Sequence, residues 1–159
     1  MRNYWISTIW RFVEGDEKYC CNVYLKEQRK TVPKIGDVVF FRESISTPKQ
    51  VVRRIFRGEE SMERVGNGCG GIIAAAVVFE HPTNIPPYPD WVVAYDFGDL
   101  GEWTRVIRCS DHRFKNWMSW GELRAALNTK TGKFLNLYKL KDTTRDLAVI
   151  NRLSNAIGL

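Results

Sequence analysis

The chain opens on a strand pattern. Asn3 to Ile9 carries Tyr4, Trp5, Ile6, Thr8 and Ile9, an aromatic and β-branched mix. Glu17 to Lys30 places Cys20, Val23 and Tyr24 at helical spacing ahead of a charged end, which predicts a helix. Pro33 and Gly36-Asp37 then punctuate the chain, and Val38 to Phe41 reads as a buried strand. Ser44 to Gly71 is a long, charged connection with one short strand or helix at Val51 to Phe56. Ile72 to Glu80 is the second strongly apolar strand. Residues 81–90 hold Pro82, Pro86, Pro87 and Pro89, a loop of restricted φ. Trp91 to Asp96 and Glu102 to Cys109 read as two strands of a hairpin around a Gly98-to-Gly101 turn.

The C-terminal part alternates again. Ser119-Trp120-Gly121-Glu122 matches a capping box and predicts a helix from Trp120 to Leu127. Thr131-Gly132 is a turn, and Lys133 to Lys141 is a strand. Thr143 or Thr144 caps a last helix with Leu147, Ile150, Leu153 and Ile157 on one face. Strands and helices mix without regular βαβ alternation. That order predicts an α+β fold, a curved or closed mixed sheet with helices at its ends.

Composition narrows this picture. At 159 residues, 44% hydrophobic and 26% charged, the chain fits one globular domain and is too apolar to be disordered. Its longest apolar run, Gly70 to Phe79, is far short of the roughly 20 residues of a membrane-spanning helix. The start shows no apolar signal region. Cys20, Cys21, Cys69 and Cys109 do not form a disulfide framework. A reducing, cytoplasmic setting is therefore expected, with no membrane partner. Lys and Arg number 24 against 18 acidic residues, and a net charge of +6 favours an anionic partner such as nucleic acid.

Most chemical motifs resolve into plain readings. Gly66 to Gly71 satisfies GxGxxG, but a β-rich run follows where the dinucleotide fingerprint needs a helix, so a turn into a strand is expected. Cys109 and His112 have the spacing of two zinc ligands, yet no second pair lies nearby in sequence, so buried thiols and no metal or cofactor are expected. His81 and His112 are the only histidines, and neither sits beside a serine in a nucleophile elbow. Glu59-Glu60 reads as a solvated pair.

The aromatic residues say more. Six tryptophans exceed what packing a domain of this size requires. Basic residues accompany them: Lys49, Arg53, Arg54 and Arg57 after the second strand, and Arg105, Arg108, Arg113 and Lys115 between Trp103 and Trp117. Cations hold phosphates and π-faces stack on bases, so this interleaving points to nucleic acid.

Four segments carry a family resemblance. Asn3-Tyr4-Trp5-Ile6 resembles the opening strand of EVE domains, and Pro33 to Ser44, PKIGDVVFFRES, resembles their second conserved strand. Gly71 to Val78 resembles the strand that follows. Asn116-Trp117, with Gly132 to Leu140 after it, is similar to their late segment. The matches run in order along nearly the whole chain. EVE belongs to the PUA-like group, with the YTH and ASCH domains. The resemblance implies one domain over 1–159, a PUA-like small mixed β-barrel flanked by helices, either whole or as the reader module of a larger protein. It also implies a non-enzymatic reader of a modified, flipped base in duplex DNA, serving a modification-dependent restriction system with a nuclease or motor partner. On that basis Trp5, Phe41, Ser44 and Trp117 border the base pocket, Ser44 bonds the base edge, and Arg42, Arg53, Arg54, Arg57 and Arg105 hold the backbone. A methyl mark adds at most about 1 kcal/mol of apolar burial, so such a pocket has to be snug and dry.

Two rival readings stand beside it. Arg29-Lys30-Thr31-Val32 ahead of Gly36-Asp37 resembles ASCH domains, some of which act on modified nucleosides or RNA. Lys30 and Thr31 would then be a buried catalytic pair, with Lys30 deprotonated by desolvation. The other rival is an RNA-binding module.

Overall fold

A computed structural model describes residues 1–26, 29–46, 50–84, 94–96, 105–127 and 137–157. The fold is mixed α+β, mostly strand, as the order of elements predicts. Its centre is a five-stranded sheet. The strands are β1 (Tyr4–Ile9), β3 (Val38–Glu43), β6 (Ile72–Val78), β10 (Cys109–Met118) and β11 (Leu137–Lys139), in the order β10-β6-β3-β1-β11. β1 and β3 run parallel, Tyr4 beside Val38 through Ile9 beside Glu43. The other pairs in this sheet are antiparallel. β3 is buried at every position, because both faces of a central strand are covered.

Alternation along these strands sends side chains to two cores. Trp5, Val39, Phe41, Ala74, Ala76 and Cys109 lie on one face, under Val23, Leu25 and Ile107. Ile6, Phe40, Ala75 and Met118 lie on the other, under helices α2 (Trp120–Leu127) and α3 (Thr144–Ile157). The first cover is a small sheet in which β2 (Val23–Leu25) and β7 (Thr83–Asn84) flank β9 (Arg105–Ile107). A third sheet joins β4 (Val51–Phe56) to β5 (Glu59–Arg64) and to β8 (Ala94–Asp96). The described strand pairings close no barrel. Among the described residues no helix is long and apolar enough to cross a membrane.

Several elements match their sequence signals. Ser119 N–H donates to Glu122 Oε2 at 2.9 Å and Glu122 N–H to Ser119 Oγ at 3.1 Å, the reciprocal capping box. Thr143 Oγ1 accepts the Asp146 N–H, so Thr143 caps α3. Four expectations are corrected. The helix expected over residues 17–30 is one turn, α1 (Glu17–Cys20), followed by β2. Val23 and Leu25 are buried with Tyr24 between them, a two-residue period that pairing with β9 rewards over weak helical spacing. Among the described residues the two strands expected over 91–109 do not pair with each other: Ala94–Asp96 pairs with β4, and Arg105–Ile107 pairs with β2 and β7. The charged 44–71 connection holds a full hairpin, β4 and β5. In α3 Leu147 is exposed, and Val149 and Leu153 fill the core. Trp91, Trp103, the Thr131-Gly132 turn and the start of the Lys133 strand lie outside the described residues.

Candidate nucleic-acid interface

The residues expected to border a base pocket do not share one surface. Trp5 is 1% exposed and Phe41 fully buried, both in the same core cluster. The Trp5 indole Nε1–H donates to Asp37 Oδ2 at 3.0 Å. Asp37 also accepts the N–H groups of Asn3 and Lys34, so Trp5 fastens the start of β1 to the turn before β3. Ser44 stands just past β3, where its hydroxyl donates to the Ser46 carbonyl at 3.0 Å. Trp117, half-buried on β10, packs against the opposite core, the one under the helices.

The arginines expected on the phosphate backbone are mostly engaged within the fold. Arg54 makes a two-point pair with Asp16, and Arg53 meets Glu60 at 3.4 Å. Arg105 donates to the carbonyls of Lys26 and Arg29 at 2.9 and 2.7 Å. Arg42 is 5% exposed, donates to the Gly70 carbonyl and lies 4.2 Å over the Trp120 ring. Burial pulls its pKa below the ordinary guanidinium value, and Cys69 opposes that shift. Arg57, at φ 52 in the β4–β5 turn, covers the Phe56 ring and is exposed. Lys30 and Thr31 are both exposed, so the buried pair of the hydrolase reading is not formed.

The glycine-rich segment is a packing device. A Cβ on Gly68 would stand 1.9 Å from the Ser44 carbonyl oxygen, and one on Gly71 would stand 2.4 Å from that of Met118. Cys69 N–H donates to the buried Glu43 carboxylate, which also pairs with Arg11 at 3.0 Å. A strand, β6, follows, as expected.

The expectation of buried thiols holds for two of the four: Cys69 is exposed and Cys20 half-buried. Cys21 and Cys109 are buried, and burial pushes both pKa values up, that of Cys109 to about 12. His112 Nε2 lies 2.8 Å from the Cys21 carbonyl. A carbonyl only accepts, so this nitrogen carries the proton and is no ligand. Among the described residues no group of three His, Cys, Asp or Glu side chains is placed to hold a metal.

What the fold does assemble is an aromatic and cationic edge. β10 is an edge strand of the central sheet. Two irregularities interrupt its register with β6, one between Ser110 and Arg113 and one between Phe114 and Met118. Asp111 adopts φ 53 inside the first. Bulges bend an edge and re-aim its side chains. Arg113 and Phe114 stand between the two irregularities, His112 lies within the first, and Lys115 and Trp117 lie within the second. The His112 and Phe114 rings stack at 5.9 Å and 12°. Lys115 Nζ lies 5.3 Å over the Trp117 ring, whose Nε1–H donates to the Arg113 carbonyl. Arg113, Phe114 and Lys115 are exposed. The sequence signal for Arg113, Lys115 and Trp117 is their interleaving. Phe114 has no individual signal, because a strand exposed on both faces shows no apolar alternation.

No protein-family model, no curated protein and no solved structure matches the chain.

Proposed function

We propose that the protein is a nucleic-acid-binding module that receives an unstacked base along β10. The observation that carries this reading is the exposed run Arg113-Phe114-Lys115 beside Trp117 on an edge strand. Cations in that spacing can meet successive phosphates, and the rings offer π-faces to bases. The resemblance to EVE domains adds the finer part: the base carries a methyl mark, the fold is a PUA-like barrel, and a nuclease or motor partner acts on what this chain reads. Trp117 is the pocket residue of that reading that lies on this edge.

The test is a binding panel. Oligonucleotides bearing methylcytosine, hydroxymethylcytosine or N6-methyladenine are compared with unmodified duplex and RNA by fluorescence anisotropy. Binding that weakens with salt is expected, with a preference for one mark of up to about fivefold, the share one buried methyl can supply. Trp117→Ala should remove that preference, whereas Lys115→Ala should weaken every ligand alike. Equal affinity for all ligands would leave a cationic surface without base reading. Absence of binding would end the nucleic-acid reading altogether.

A further inference from the structure

The two aromatic groups of β10 serve opposite faces of the central sheet. Phe114 pairs in register with Ala74, which belongs to the core of Trp5 and Phe41. Trp117 packs with the core of Ile6 and Phe40, on the helix side. Three positions apart on one strand, the two side chains alternate to opposite faces, and a register shift lies between Phe114 and Met118. Phe114 is 43% exposed and is backed by the stacked His112 ring. Arg113 and Lys115 flank Phe114 on the strand, and Asp111 is the acidic residue of the strand.

We infer that the edge binds a single-stranded polynucleotide, DNA or RNA, that crosses β10 and places neighbouring bases on Phe114 and on Trp117. This rests on the nucleic-acid reading above and specifies its ligand. A base flipped out of a duplex occupies one platform. Filling both from a duplex requires at least two extrusions, each paid in unpairing and unstacking. A single strand presents its bases already accessible. Its phosphates meet Arg113 and Lys115 at the crossing, which makes the charge complementary. Base–aromatic stacking tolerates any base, so little sequence preference is expected.

The experiment uses the full chain and fluorescein-labelled 12-nucleotide probes: single-stranded DNA, single-stranded RNA of the same sequence, and the matching duplex. Single strands are expected to bind at least about tenfold more tightly than duplex. Phe114→Ala and Trp117→Phe→Ala steps separate ring from fold. Phe114→Ala, at an exposed position, should weaken single-strand binding about tenfold, and Phe114→Tyr should preserve it. Two phosphate contacts predict a log–log salt slope near about −1.4, or about sevenfold weaker binding from 50 to 200 mM salt. The DNA and RNA arms tell which polynucleotide is preferred. Duplex bound as tightly as single strand, or Phe114→Ala without effect, overturns this inference and leaves the nucleic-acid reading intact. No binding to any probe overturns both.

Discussion

Arg54 and Asp16 face each other through two hydrogen bonds, Nε to Oδ2 at 2.8 Å and Nη2 to Oδ1 at 2.7 Å. The Asp16 side chain is 5% exposed and that of Arg54 is 22% exposed. Asp16 precedes α1, and its carbonyl accepts the N–H groups of Tyr19 and Cys20. The pair therefore ties β4 to the one-turn helix. Removing the guanidinium strands a buried carboxylate. Arg54→Ala should cost about 3 kcal/mol, measured as a lower urea midpoint. Adding Asp16→Asn should recover part of that loss, because the stranded charge is gone. In a binding assay on folded protein, Arg54→Ala should change affinity little.

Asp37 gathers four donors, the Trp5 indole, the backbone and side-chain amides of Asn3, and the Lys34 amide. The carboxylate is almost fully buried. Asp37→Ala should destabilise by about 3 kcal/mol, since hydrogen bonds to charged groups are worth more than neutral ones. Tryptophan fluorescence should report it directly, with the Trp5 environment loosening at lower denaturant than in the parent.

Two glycines should behave oppositely. Gly68→Ala drives a methyl into the Ser44 carbonyl and the Glu43 side chain, which are 1.9 and 2.6 Å from its Cβ position. A cost of about 2 kcal/mol is expected from thermal unfolding followed by circular dichroism. Gly121 lies in α2 with open space around its Cβ position. Gly121→Ala should raise stability by about 0.7 kcal/mol, the helix-propensity gain.

The thiols predict both a reactivity pattern and an alkaline limit. Cys69 is exposed, whereas Cys21 and Cys109 are buried. A disulfide reagent should modify Cys69 in the native protein and reach Cys21 and Cys109 only on unfolding. Burial raises the pKa of Cys21, of Cys109 (to about 12) and of the Tyr24 hydroxyl. Above the unfolded thiol pKa of about 8.5, the folded state holds protons that the unfolded chain has released. Their contribution is complete below that value and is lost as pH climbs toward 12. The urea midpoint should therefore fall between pH 9 and 11; a flat profile there would contradict the assignment.

What could be read from residue order was what residue order decides locally. The Ser119–Glu122 box lies within one helical turn, so its bonds follow from spacing alone. β3 and β6 announce themselves because both faces are buried. The 17–30 segment fails as a helix because β9, some eighty residues on, supplies the partner that makes Val23 to Leu25 a strand. β10 gives no apolar alternation, so residue order predicts a strand only as far as Cys109 and no element over residues 110–118. Among the site residues, tryptophan counts alone could not separate Trp5 from Trp117. The indole of Trp5 found a buried carboxylate, and that of Trp117 stayed at the edge under a lysine. Arginines divide in the same way, by whether an acid or carbonyl from a distant element reaches them first.

The parallel pairing of β1 with β3, together with the antiparallel pairing of β1 with β11 on its other side, bears on how the chain comes to be made. Trp5 pairs with Val39 and also with Lys139. Of the five strands of this sheet the first to be synthesised is therefore an inner one, and one of its neighbours is the last. Until residues 137–139 emerge, β1 keeps one flank uncovered, a template for any other extended chain. Such distant pairing slows folding as well. Expression at lower temperature, or with a chaperone that shields nascent strands, should raise the soluble yield.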